Sequence, residues 1–84
     1  MTRFARRVVV LAPGTTRPAA AAEWEDAVVL VERGAIEVEA PGGAPAVRFG
    51  AGSVLALGGA AVVANRGAEP AVLVAVARRL RAVR

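Results

Sequence analysis

The stretch AVVLVERGAIEVEA, residues 27–40, decides the fold class. Apolar residues alternate on both sides of Arg33-Gly34: Ala27, Val29 and Val31 before it, then Ile36, Val38 and Ala40 after it. A period of two is a strand period. Gly34 takes positive φ at little cost, so the pair reads as a turn and the stretch as a β-hairpin. Centring the turn on Arg33-Gly34 sets Val31 opposite Ile36, Val29 opposite Val38 and Ala27 opposite Ala40. One face is then wholly apolar. The other carries Val28 and Leu30 opposite Glu39 and Glu37. A one-residue slip would mix charged and apolar side chains on both faces, so the register is well specified.

The next segments follow the same logic. PGGAP, residues 41–45, is a turn, and AVRF, residues 46–49, returns antiparallel. With Phe49 against Val38, Val47 meets Ala40 and Arg48 meets Glu39, so charges again share one face. Further strands are expected over 7–12, 53–57, 60–64 and 71–77, cut by Pro13-Gly14, Gly50-Ala51-Gly52, Gly58-Gly59 and the turn-forming NRGAEP of 65–70. Residues 15–22, with Pro18 and four alanines, read as a loop or irregular strand. The last strand is apolar on both faces, as a sandwich-core or interface strand is. Many short strands between Gly/Pro turns predict an all-β barrel or sandwich with little or no helix. A single domain over residues 1–84 accounts for the length, with basic ends 1–7 and 78–84 that fray.

A chain of 84 residues buries a modest share of its surface. It contains no Cys and no His, so neither a disulfide nor a zinc site staples it. An apolar core and partner chains are the two remaining sources of stability. The net charge of +4 comes from Arg alone, which fits coding bias in a GC-rich genome better than a function. Arg3, Arg6 and Arg7 cluster near one end; Arg78, Arg79, Arg81 and Arg84 cluster at the other. No aromatic residues interleave with them and no recognition helix is evident, so nucleic acid is not an expected partner. No apolar run approaches the ~20 residues of a membrane-spanning helix. Pro13-Gly14 cuts the apolar run after Arg6-Arg7 too early for an export signal. The expected setting is cytoplasmic.

Taken together, Pro13-Gly14, the run Val31-Glu32-Arg33-Gly34-Ala35-Ile36-Glu37-Val38, Gly52 before a strand, and Asn65-Arg66-Gly67-Ala68-Glu69-Pro70-Ala71-Val72-Leu73 resemble a small single-domain cupin. The resemblance covers nearly the whole chain. It implies an antiparallel jelly-roll β-barrel, commonly dimeric. The first cupin motif carries His-x-His, then Glu, then six residues, then Gly. With Gly34 as that Gly, the Glu position falls at Ala27 and the His positions near Ala20 and Ala22. With Gly52 as the Gly of the second motif, its Pro falls at Gly58, its His near residues 61–63 and its Asn at Asn65. None of the four metal-ligand positions holds a ligand. The resemblance therefore implies a cupin without the metal-binding histidines, no cofactor, and none of the family's metal-dependent chemistry.

The remaining chemistry rests on few groups, because His, Cys, Lys and Tyr are all absent. Glu23, Glu25 and Asp26 sit where the resemblance places the cavity mouth. A buried carboxylate there would serve as a general base; a solvated acidic loop is the plainer reading. Glu37 and Glu39 share a strand face, where pairing with Arg48 explains them as a surface ladder. Trp24 either stacks on a ligand at the barrel mouth or plugs a small barrel otherwise made of Ala and Val. Asn65 takes a turn role by default.

Three functions follow. The first is a metal-free cupin-like small-molecule-binding or regulatory module, its pocket for a small apolar ligand lined by Trp24, Val29, Val38 and Phe49. The second is a structural or partner-binding cupin whose barrel is filled by its own side chains. The third is a metal-independent isomerase or cyclase with Glu25 or Asp26 as base. Val28, Leu30, Val72 and Val74 form an apolar surface beyond the core, expected to be a homodimer interface.

Overall fold

The structure is a computed structural model that describes residues 2–19, 24 and 27–80. Eight strands carry it: β1 (Thr2–Leu11), β2 (Thr16–Pro18), β3 (Ala27–Arg33), β4 (Ala35–Glu39), β5 (Val47–Gly50), β6 (Val54–Leu55), β7 (Val62–Ala64) and β8 (Ala71–Leu80). They form two four-stranded sheets, in the orders β1-β8-β3-β6 and β2-β7-β4-β5. Every pairing is antiparallel. Successive strands pass from sheet to sheet at each connection except β4 to β5. This is the jelly-roll barrel expected from the sequence, in which inward side chains of both sheets make one core.

Residues 27–39, however, are not a hairpin. β3 pairs with β8 and β6, whereas β4 pairs with β7 and β5. Val31 lies opposite Leu73 and Ile36 opposite Phe49. An irregularity between Val31 and Arg33 bends β3, and Gly34 at φ 73° turns the chain into the other sheet. A Cβ on Gly34 would sit 2.7 Å from the carbonyl oxygen of Pro70, so the corner is also a place of close backbone approach. The expected inward face survives the change of partners. Ala27, Val29, Val31 and Ile36 are buried, and Val38 packs against them, while Ala40 is exposed beyond the end of β4.

β5 does return antiparallel along β4. Its register is two residues from the expected one: Ile36 meets Phe49, Glu37 meets Arg48 and Val38 meets Val47. β6 and β7 are shorter than expected, and β2 occupies part of the irregular 15–22 segment. β8 lies between β1 and β3, with Ala71, Leu73 and Ala75 in the core and Val72, Val74 and Val76 on the outer face. The two basic ends meet each other, since β1 and β8 pair from Thr2 with Leu80 through Arg7 with Ala75.

Asn65 fastens one end of the barrel. It is the buried polar side chain of the described core. Its Nδ2 donates to the carbonyl oxygens of Leu11 (2.9 Å) and Glu69 (2.8 Å), and its Oδ1 accepts from the Gly67 amide (2.9 Å). The last bond is the i to i+2 pattern of an Asx turn. Its backbone also bonds to Thr15 and Gly14 at 2.8 Å each. The turn role expected of Asn65 is the one it fills.

Candidate functional site

β1 and β2 bring two guanidinium groups to one ring. Arg7 shares the inward side of β1 with the buried Val9 and Leu11, and Arg17 lies opposite the buried Val63. Their guanidinium carbons stand 4.9 Å and 5.9 Å from the centre of the Trp24 ring, within cation–π range. Trp24 is only 2% exposed. The space bounded by Val9, Leu11, Arg17, Trp24, Val63 and Leu73 has a volume of about 0 Å³. The ring therefore fills this part of the interior and leaves no room for a ligand. Its buried Nε1 has no hydrogen-bond partner among the described residues. Such an orphan donor costs about 1–3 kcal/mol, against the roughly 150–250 Å² an aromatic ring buries.

The four residues expected to line one pocket separate into different places. Trp24 is the plug, and Val29 is fully buried in the core. Val38 and Phe49 instead line an open cleft of about 300 Å³, together with Ala40, Pro45, Val47 and Ala60. Every side chain on its walls is apolar. The wall contributed by residues 40–45 was hidden in a segment readable only as a turn. Glu23, Glu25 and Asp26, the weak catalytic candidates among them, lie outside the described residues.

Among the described residues, a metal of the cupin kind finds no fitting donors. Ala27, at the expected Glu position, is a buried methyl, and Val63, in the expected His region, is a buried isopropyl group. Ala20 and Ala22 lie outside the described residues. The amide of Asn65 is already committed to three hydrogen bonds. Among the described residues no three His, Cys, Asp or Glu side chains are grouped to hold an ion. The chain has neither imidazole nor thiolate, the ligands that soft and borderline metals favour.

The outer faces of the two sheets differ sharply. On β2-β7-β4-β5, Glu37 and Arg48 stand opposite each other, and the Arg66 Nε lies 3.5 Å from the Glu37 Oε1. This is a solvated ion-pair surface, worth little energy. On β1-β8-β3-β6 the outward positions include the exposed apolar residues Val8, Val10, Val28, Leu30, Val54 and Val76, with Arg6 also exposed among them. Val54 is 64% exposed, and Phe4 at the end of β1 is 74% exposed. Of the expected interface residues, Val28 and Leu30 are exposed on this face, Val72 is half-buried, and Val74 is buried between Val8 and Leu30. No helix among the described residues is long and apolar enough to cross a membrane.

No family model matches the sequence. No curated protein matches it either. Among solved structures, the chain is similar to the crystal structure of a Cupin 2 conserved barrel domain protein from Salinispora arenicola CNS-205. The TM-score is 0.71 at 26% sequence identity, over 87% of this chain. The chain spans 60% of the length of that protein.

Proposed function

The chain is a cupin-fold barrel, and from that premise we propose that it is a metal-free, partner-binding module rather than an enzyme. The observation that carries the reading is Trp24, which is buried in the interior beside Val63, a residue of the region where the cupin resemblance places a ligand His. With Trp24 filling its part of the interior, the apolar outer face of β1-β8-β3-β6 is the surface that meets a partner. Exposed apolar patches of this extent mark interaction sites. The reading keeps the homodimer and the cytoplasmic setting expected from the sequence. Titration with a benzene-sized apolar probe tests it. The wild-type barrel should show no saturable change in Trp24 emission, whereas Trp24→Ala should gain saturable thermal stabilisation by the probe as the vacated space is filled. Saturable probe binding beside Trp24 in the wild type would contradict the filled barrel.

A second reading rests on a separate observation, the 300 Å³ apolar cleft at Val38 and Phe49. It fits a small uncharged apolar ligand and a regulatory role. Phe49→Ala should abolish binding of such a ligand without affecting Trp24 emission. The isomerase or cyclase alternative depends on Glu25 and Asp26 and draws no support from the described residues.

A further inference from the structure

We infer that the paired ends of β1 and β8 bind single-stranded nucleic acid, with arginines on its phosphates and Phe4 stacked on a base. This site is separate from the apolar partner surface proposed above. The two basic clusters lie at opposite ends of the sequence, and the strand register joins them. Arg3 stands opposite Arg79, Phe4 opposite Arg78 and Arg6 opposite Val76. β3 begins opposite Ala77. The ladder from Thr2 with Leu80 to Phe4 with Arg78 therefore runs on past the start of β3 as a two-stranded ribbon, for about 10 Å.

Charge is unbalanced along this ribbon. Neither β1 nor β8 contains an Asp or a Glu. Their pairing is continuous over all ten positions, with no bulge to move like charges apart. Like charges directly opposite each other destabilise a strand pair. The Arg3–Arg79 position is thus a local cost that a bound polyanion relieves. Guanidinium is also the cation whose planar fork matches phosphate oxygens two at a time.

An aromatic ring lies within the same cationic stretch. Phe4 is exposed, and so is Arg6, two positions along β1 and therefore on the same face. A solvent-facing ring among cations is the combination that holds unpaired bases: the ring stacks on a base while the positive charges follow the backbone. In a duplex the bases stack on one another and are closed to such a ring. An acidic peptide would meet the charges and leave Phe4 unused. Taken singly, neither basic cluster points to nucleic acid; joined by the ladder and flanking Phe4, they do.

Fluorescence anisotropy of a labelled oligothymidylate, titrated with the full chain across a salt series, tests the inference. Binding should be saturable at low salt and weaken as salt rises. The log–log slope should be about −2 to −3, as for three or four phosphates neutralised on a single strand. Arg3→Gln combined with Arg79→Gln should make that slope shallower by about 1.4, whereas the same pair changed to Lys keeps the charge and the slope. Phe4→Ala should weaken binding about tenfold and Phe4→Trp should retain it, with β-sheet circular dichroism unchanged throughout. The matching duplex should be indifferent to Phe4→Ala. No saturable binding at low salt would overturn the inference. Oligothymidylate binding indifferent to Phe4→Ala would overturn the stacking role and with it the choice of a single strand. A polyglutamate peptide that displaces the oligonucleotide at equal charge concentration would overturn nucleic acid in favour of an acidic protein.

Discussion

The guanidinium carbon of Arg7 lies 4.9 Å from the centre of the Trp24 ring, the largest of the fully buried side chains among the described residues. Arg17 approaches the same ring at 5.9 Å. A ring held in this way belongs to the core and is not poised for a ligand. Replacing it should be costly in proportion to the space it leaves. Trp24→Ala should lower unfolding stability by about 3–5 kcal/mol. Trp24→Phe should cost about 1 kcal/mol or less, since it keeps most of the ring and removes the orphaned Nε1–H. Urea denaturation of the three proteins checks the pair. Equal losses for both substitutions would contradict the packing role.

Asn65 replaced by Ala should destabilise the barrel by about 2–3 kcal/mol. Two carbonyls, of Leu11 and Glu69, would lose their donor, and the Leu11 bond is buried. Asn65→Asp should fare no better, because it exchanges the donor amide for a charge at a buried position. Chemical denaturation measures both losses. Hydrogen exchange at the Gly67 amide should rise in Asn65→Ala, since that amide bonds to the Asn65 side chain.

Gly34→Ala combines two penalties. Positive φ costs an L-residue about 1 kcal/mol, and the added Cβ meets the Pro70 carbonyl oxygen at 2.7 Å, which cannot swing aside as a side chain would. The melting temperature should fall by roughly 8 °C or more, given about 4–8 °C per kcal/mol for a domain of this size. By contrast, Gly14 has similar φ but open space around it, so Gly14→Ala should lose only the conformational part.

The same corner marks the limit of what the sequence makes legible. Alternation over residues 27–38 shows which side chains face inward, and Val29, Val31 and Ile36 are buried accordingly. Alternation does not say which strand lies alongside. Turn chemistry at Arg33-Gly34 suits a hairpin and a corner between sheets equally, and only long-range pairing with β8 and β7 decides between them. The β4–β5 register shows the same effect on a smaller scale. A slip of two residues keeps every face unchanged, so Arg48 could be matched to either Glu37 or Glu39 on pattern alone. The cupin motifs located the fold, and the lack of His located what its interior lacks. The packing of Arg7 and Arg17 around Trp24 is a tertiary contact between separate strands, with no local signal to announce it.

The missing donor set makes a further prediction. Protein purified without chelators should contain well under one equivalent of any transition metal by elemental analysis, and added Zn²⁺ or Mn²⁺ should leave the melting temperature unchanged. Stoichiometric tightly bound metal, or a saturable rise in melting temperature, would show that donors outside the described residues make a site.

The central claim, a barrel closed by its own tryptophan, is tested most directly by the fluorescence of the native protein. Trp24 is the single Trp and the chain has no Tyr, so the emission belongs to one residue. The expected result is a blue-shifted spectrum, weakly quenched by acrylamide, that reverts to the behaviour of free tryptophan only on unfolding. Native emission already resembling free tryptophan, with strong acrylamide quenching, would contradict the account.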